Sequence, residues 1–573
     1  MTTRETKEAR ELAAEHAPSV ELNIGARLAV SARARPDAVA VRAAVGVKGG
    51  KTVFESATFA ELHARANAIA RGLSAQGLSR GDRTAVFVRP GVDLIAVVFA
   101  LFELGAVPVL LDPGMGARKL VASLARIEPR AFVGVPLAHV LRLVHARALS
   151  SIRIAVTVGA RWFPRSVPLE TLVKDHAGSF EAVPVHADDE AAILFTSGST
   201  GPAKGVVYTH AMFQAQVEAL RGQYGFEPGE VDLACFPLFA LFDVAFGMTR
   251  VFPLLDPSRP GRCDPARIAE ALETFECNNT FGSPAIWRRV APWCRAQGRW
   301  FPALKRVLIA GAPVSPELVE AVHGMLDGRG EVYTPYGATE SLPVCSITGR
   351  EILAVREKTE HGFGTCVGRP VAGIELAIIP VRDEPIERWD DALRSGPFQL
   401  GEVCVKGAVV THRYASESEA TRAAKIAGDE GFWHRMGDLG WLDDEGRLWF
   451  CGRKSHRLET GRGIVAPVPT ENVVQRHPRV RRAALVGVGE RGAQRAVLVI
   501  EPKKGEFPKK KSARAAFVDE VLAFLAAERR ATPLHAPETI EHVLFHPAFP
   551  VDVRHNAKVK NELLQRWAEK KLA

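Results

Sequence analysis

The segment Phe195-Thr-Ser-Gly-Ser-Thr-Gly-Pro-Ala-Lys204-Gly205 constrains this chain most, because it crowds glycines, hydroxyls and one lysine between two apolar runs. Ala191 to Phe195 reads as a buried strand before it, and Val206-Val-Tyr-Thr-His210 leads into a helix after it. Glycines let backbone amides approach phosphate oxygens, Ser and Thr hydroxyls donate hydrogen bonds, and a lysine neutralises charge. A polyphosphate fits such a loop. A Walker loop requires glycine, lysine and Ser/Thr in succession to supply a metal-binding hydroxyl. Here Gly205 follows Lys204, and that motif is excluded.

A strand that feeds a glycine-rich turn and then a helix belongs to layered α/β architecture. The pattern recurs at Arg306 to Ala310, where the Gly311-Ala312-Pro313 turn runs into Ser315-Pro316-Glu317, an N-cap, a first-turn proline and an acidic residue. Further on, Gly401 to Gly407 reads as a strand, and Trp441 and Leu448 to Cys451 flank an Asp-Asp-Glu-Gly turn as in a hairpin. The texture then changes near 452–456. Beyond it come a helix from Thr470, strands Ala483 to Val488 and Arg495 to Glu501, and a helix from Phe517 to Arg529. The fold class is α/β, with a large N-terminal domain of layered sheets over residues 1–453 and a small C-terminal α+β domain over 454–573.

At 573 residues with 47% hydrophobic and 24% charged side chains, the chain has the composition of a folded globular protein. The apolar run Leu94 to Phe102 is about half the roughly 20 residues that span a bilayer and reads as a buried helix. No transmembrane segment is expected. The polar start lacks a secretory signal, and the cysteines, without a C-x-x-C pair, read as reduced thiols of a cytoplasmic protein. The net charge of +9 reads as spread along the chain apart from Lys503, Lys504 and Lys509 to Lys511, a solvated loop. No nucleic-acid module accompanies it, and no nucleic-acid partner is expected.

The loop at 195–205 resembles the signature of the adenylate-forming superfamily, which includes acyl-CoA synthetases, luciferases and peptide-synthetase adenylation domains. Tyr336-Gly-Ala-Thr-Glu340, Gly401-Glu-Val-Cys-Val-Lys-Gly407, Gly437-Asp438 and Gly452-Arg453 follow in that family's order, with Lys558 near the end. The resemblance covers nearly the whole chain and implies ATP and Mg²⁺. It implies that Thr196, Ser197, Gly198, Ser199, Thr200, Gly201 and Lys204 hold the phosphates, that Thr339, after Gly337, touches the α-phosphate, and that Glu340 is the Mg²⁺ ligand. Tyr336 would stack beside adenine against Gly311, Ala312 and Pro313. Asp438 would accept from both ribose hydroxyls, Arg453 would reach ribose or phosphate, and Lys558 would bridge the substrate carboxylate and the α-phosphate when a mobile small domain closes.

Three departures narrow the resemblance. Ser455 stands at the hinge where Asp or Lys is usual, Ala240 stands where an aromatic-then-histidine pair is frequent, and Ala557 stands where glycine normally precedes the lysine. With these contexts the chain is similar to the olefin β-lactone synthetases of bacterial long-chain hydrocarbon synthesis. That likeness implies ATP-dependent activation of a long-chain 2-alkyl-3-hydroxyalkanoic acid, lactone closure by its own β-hydroxyl, and other enzymes of the olefin pathway as partners in an assembly. Phe236, Phe239, Phe242 and Phe246 are candidates either for an apolar tunnel or for core. His210 is the nearest motif-linked base but more often a structural helix-opening residue. A long-chain fatty acyl-CoA or acyl-AMP ligase with an altered hinge is the alternative, and a catalytically silent scaffold is a third reading.

Overall fold

The computed structural model describes residues 17–160, 162–196, 203–236, 240–529, 539–551 and 559–573. Contacts divide the chain into two compact units. Residues 1–258, 263–281 and 408–421 form the first, and residues 259–262, 282–407 and 422–573 form the second.

The first unit contains a seven-stranded sheet in the order Val167–Pro168, Ile154–Thr157, Ala131–Gly134, Arg83–Phe87, Val107–Leu110, Glu190–Thr196 and Lys204–Thr209. All neighbours are parallel except the last pair. Parallel strands need crossover helices, and those helices cover the faces. The run read as a buried helix is one of them, Val92–Glu103, with every residue from Leu94 to Glu103 buried. Burying such apolar side chains contributes roughly 1.5–3 kcal/mol each. Another sheet of this unit runs Asn279–Gly282, Val231–Ala234, Thr249–Phe252, Val39–Lys48 and Lys51–Thr58.

In the second unit, strands run in the order Glu375–Ile379, Gly401–Lys406, Phe432–Leu442, Leu448–Arg453, Thr365–Pro370, Ser341–Thr348, Glu331–Ala338 and Arg306–Ile309. The expected hairpin is present, with Trp441 opposite Trp449 and their rings stacked at 5.4 Å. Past residue 453, strands Val480–Val488, Arg495–Pro502 and His542–Phe545 make a three-stranded sheet. Its alternation serves two cores: Leu498 and Ile500 pack with Phe517 and Val521, and Val497 and Val499 pack with Leu564 and Ala568. Two helices begin earlier than the sequence suggests, at Pro467 and Lys511. Proline is at home in a first turn, and the charged stretch 509–516 carries no apolar period to announce a helix.

All eight cysteines are free and buried. Among the described residues, no helix is long and apolar enough to cross a membrane.

Candidate active site

The phosphate-type loop is a hairpin connection. Strand Glu190–Thr196 pairs antiparallel with Lys204–Thr209, and Thr196 lies opposite Lys204. Ser197, Gly198, Ser199, Thr200 and Gly201 lie outside the described residues. A Walker loop opens directly onto a helix, whereas this one returns to a strand, and the helix His210–Tyr224 starts only after it. Backbone amides, hydroxyls and Lys204 must therefore carry any phosphate grip. Lys204 holds its ammonium 4.9 Å from the centre of the buried Tyr414 ring. The neighbouring chain is tied in by the Ala415 N–H, which donates to the Gly205 carbonyl at 2.7 Å. A Cβ on Gly205 would lie 3.0 Å from the Ile193 side chain, which would have to give by a few tenths of an ångström to admit one.

Within the second unit, four of the expected residues converge. Tyr336 lies two residues before the end of the strand Glu331–Ala338, Thr339 and Glu340 form the two-residue turn, and Ser341–Thr348 returns antiparallel, with Ala338 opposite Ser341. Gly337 is required there, because a Cβ would stand 2.6 Å from the Ser341 carbonyl oxygen. The Tyr336 hydroxyl donates to Asp438 Oδ2 at 2.6 Å. Arg453, directly across the strand pair from Asp438, brings Nη1 to 2.8 Å from Asp438 Oδ1. Asp438 is buried, and burial and then its carboxylate raise the Tyr336 phenol well above its usual range. Asp438 is also the largest influence on Arg453, raising its pKa further, and Glu340 adds to that field. Gly311, Ala312 and Pro313 follow the strand Arg306–Ile309, which runs parallel to Glu331–Ala338 and so ends at the same edge as Tyr336. The Ser315 hydroxyl caps the helix Pro316–His323, as expected. Lys558 lies outside the described residues.

Sequence reasoning missed Lys425. This lysine opens the strand Lys425–Ala427, is buried, and feels the Glu340 carboxylate. Burial pushes its ammonium down to about 7, with Glu340 opposing the shift. The sequence gives no sign of it, since Ala-Lys-Ile is an ordinary edge of an exposed helix until its neighbours are known. Also missed was Arg250 in the first unit, fully buried, with Nη1 3.0 Å from Asp232 Oδ2 and 2.8 Å from Asp243 Oδ2. It anchors Ala240–Phe246, the helix at the end of the aromatic stripe, to the strands Val231–Ala234 and Thr249–Phe252.

The stripe divides by position. Phe246 is core against Phe226 at 5.3 Å, Phe242 lies 6.1 Å from Phe213, Phe236 is exposed, and Phe239 lies outside the described residues. His210 is buried, its Nδ1 accepts from the Ile24 N–H at 3.2 Å, and burial lowers its pKa to about 4. This histidine is built as a structural residue and is a weak base.

Residues 28–415 match the family described as AMP-binding enzyme. The olefin β-lactone synthetase of Stenotrophomonas maltophilia (strain K279a) is 44% identical over 96% of this chain and 98% of its own. That of Xanthomonas campestris pv. campestris is 44% identical over 95% and 97%. The crystal structure of ATP-bound MatB from Rhodopseudomonas palustris superposes with a TM-score of 0.75 at 20% identity, covering 96% of this chain and all of that one. The last likeness concerns fold.

Proposed function

The chain belongs to the AMP-binding enzyme family, and we propose that it is an ATP-dependent β-lactone synthetase acting on a long-chain 2-alkyl-3-hydroxyalkanoic acid in olefin biosynthesis. The observation that carries adenylation is the cluster of Tyr336, Asp438, Arg453 and Glu340, drawn from three separate strands and a turn. The likeness to two olefin β-lactone synthetases over almost the whole chain supports the second step.

The acid's carboxylate attacks the α-phosphorus of ATP, and pyrophosphate leaves. The β-hydroxyl of the same molecule then attacks the activated carbonyl. A ring C–O bond forms, the acyl–phosphate bond breaks, AMP leaves, and the hydroxyl proton is released. An internal nucleophile has a high effective concentration, which helps offset the strain of a four-membered ring. Developing charge at phosphorus is met by fixed donors and cations.

In this reading Tyr336 flanks adenine with the Gly311-Ala312-Pro313 turn. Asp438, with Tyr336 on one oxygen and Arg453 on the other, keeps lone pairs in a fixed orientation for ribose hydroxyls. Thr196, the loop 197–201 and Lys204 hold the phosphates, and Thr339 reaches the α-phosphate. Among the described residues no group of three or more His, Cys, Asp or Glu could form a protein cage for a metal. Glu340 fits Mg²⁺ in its usual mode, one carboxylate completed by phosphate oxygens and water. Glu340 would hold the ion, which would supply positive charge beside the phosphates. Lys558 approaches from residues 454–573, which act as a lid. We place the enzyme in the cytoplasm alongside other enzymes of the pathway.

The test supplies ATP, Mg²⁺ and a long-chain 2-alkyl-3-hydroxy acid with and without coenzyme A, and identifies products by mass and NMR. A β-lactone formed without thiol is expected. A thioester formed only with coenzyme A would overturn the lactone step in favour of a fatty acyl-CoA ligase. Lys558→Ala should abolish AMP release while the melting temperature stays put, and undiminished turnover would remove Lys558 from the mechanism.

A further inference from the structure

Residues past 453 share a compact unit with residues 282–407, and side chains on both sides hold the tract 454–459 that leads into them. Lys454 Nζ donates to the Arg382 carbonyl at 2.5 Å and to Glu402 Oε2 at 3.0 Å. Arg457 Nη2 donates to Asp383 Oδ2 at 2.5 Å and lies 2.6 Å from Glu459 Oε1, while its Nη1 donates to the Lys454 carbonyl at 2.9 Å. His456 grips the part that follows, with Nε2 3.0 Å from Glu562 Oε1 in the final helix, Asn561–Leu572.

The anchor on the preceding side is itself tied down. Arg435, buried on the strand Phe432–Leu442, donates from Nη1 to the Glu384 carbonyl at 2.8 Å and from Nη2 to the Arg382 carbonyl and to Glu402 Oε2. Asp383 lies between those two carbonyls in the chain, so its backbone is pinned on each side. A second arginine reaches it from the turn between Val480–Val488 and Arg495–Pro502, where Arg491 Nη1 donates to Asp383 Oδ2 at 3.0 Å. The Arg491 side chain is 59% exposed, and such a pair adds little by itself. The Arg457 side chain is only 5% exposed, and a cation so withdrawn from water depends on its partner. Asn472 Nδ2, donating to Thr365 Oγ1 at 3.3 Å, and Arg476 Nη1, donating to the Glu360 carbonyl at 3.3 Å, give the C-terminal part a second hold.

We propose that Asp383 is a positioning residue of the reaction, the anchor of a strap over 454–459 that keeps residues 454–573 in one orientation through both chemical steps. The inference rests on the β-lactone reading above. There the second nucleophile arrives within the first substrate, so nothing has to be admitted between the steps and no rearrangement is needed. An enzyme that takes up a separate acceptor after activation has to open a path to the adenylate. With Lys454, His456 and Arg457 all engaged, the tract resists the rotation at Ser455 that would open one.

Hydrogen exchange on the full chain, read by mass spectrometry, tests the strap. Amides of 454–460 should stay protected in the free enzyme and during turnover of ATP, Mg²⁺ and a long-chain 2-alkyl-3-hydroxy acid. Asp383→Asn should speed their exchange by about ten-fold. It should also lower kcat for ATP–pyrophosphate exchange and for AMP release alike, by about ten-fold with KM for ATP unmoved, and Asp383→Glu should recover most of the rate. The double variant Asp383→Asn/Arg457→Gln should lose no more than Arg457→Gln alone, because the two residues act as one contact. A lower melting temperature with parental exchange in 454–460 and parental rates per folded enzyme would reduce Asp383 to a structural role and overturn the proposal. Loss of protection in the parent during turnover, or faster AMP release by Asp383→Asn, would also overturn it, since each means that the tract lets go between steps. Protection is read without substrate as well, so a thioester product would sink the reaction reading while the exchange of 454–460 still judges the strap.

Discussion

The Asp438 cluster in the second unit and the Lys204 loop in the first hold their charges in opposite ways. Asp438 is buried on paired strands with Tyr336 on one oxygen and Arg453 on the other, so its position is fixed by three elements at once. Lys204 sits at the mouth of a hairpin beside an aromatic ring. A cation–π contact of this kind contributes about 0.5–2 kcal/mol, which a phosphate can outbid. Under the proposed function, the first arrangement would serve the part of the nucleotide that is unchanged by the reaction, and the second the part that gains charge and departs.

Asp438→Ala should break this contrast most. It leaves Arg453 and the Tyr336 hydroxyl facing a void, and kcat/KM for ATP should fall by about a hundred-fold or more with a stability loss of about 3 kcal/mol. Steady-state kinetics and urea unfolding measure both, and a kinetic loss with unchanged stability would mean the cluster is not prewired.

Acid tests the first unit next. Burial lowers His139 and His210, both in the first unit, to about 4. The unfolded chain binds these protons near 6.5, so their contribution is whole above that value and is lost as pH falls toward 4. Between pH 7 and pH 5 the loss is about 2 kcal/mol for each histidine. Burial raises Glu103 in the same unit, with the opposite sign, so the difference between parent and His139→Gln isolates one histidine. That variant keeps a donor for the Val156 carbonyl, and its unfolding free energy should depend less steeply on pH over this window.

Lys204→Met should lower the rate of ATP–pyrophosphate exchange by about ten-fold without moving the urea midpoint, since no buried carboxylate is orphaned. Coupled destabilisation would show that Lys204 is as fixed as Asp438. Tyr336→Phe, which removes one hydrogen bond, should raise KM for ATP by about five-fold and cost about 1 kcal/mol of stability. It sharpens the comparison by dividing the Asp438 effect between tyrosine and arginine.

Local chemistry made much of this legible in advance. Glycine, hydroxyl and lysine at fixed spacing marked the loop, and Ser315-Pro316 marked a helix start. The run Leu94 to Phe102 declared its burial. The order of the Tyr336 to Glu340, Asp438 and Arg453 motifs pointed to residues that do meet in the second unit. What stayed hidden was tertiary. Arg250, Asp232 and Asp243 come from two strands and a helix, and their charges become a buried clasp only when those elements pack. Lys425 lies in a stretch that reads as solvent-facing, and only the neighbouring hairpin turn with Glu340 shows otherwise.

The antiparallel pairing on either side of the proposed phosphate loop also bears on how such a protein can be altered. Because Thr196 and Lys204 face each other across an antiparallel pair, the residues between them can be exchanged without shifting the register of any strand or the start of any helix. The loop is thus a graftable cassette, with its two anchor residues as cut points. Libraries varied only between them would test whether the loop grips phosphate as proposed, while the flanking strands are kept.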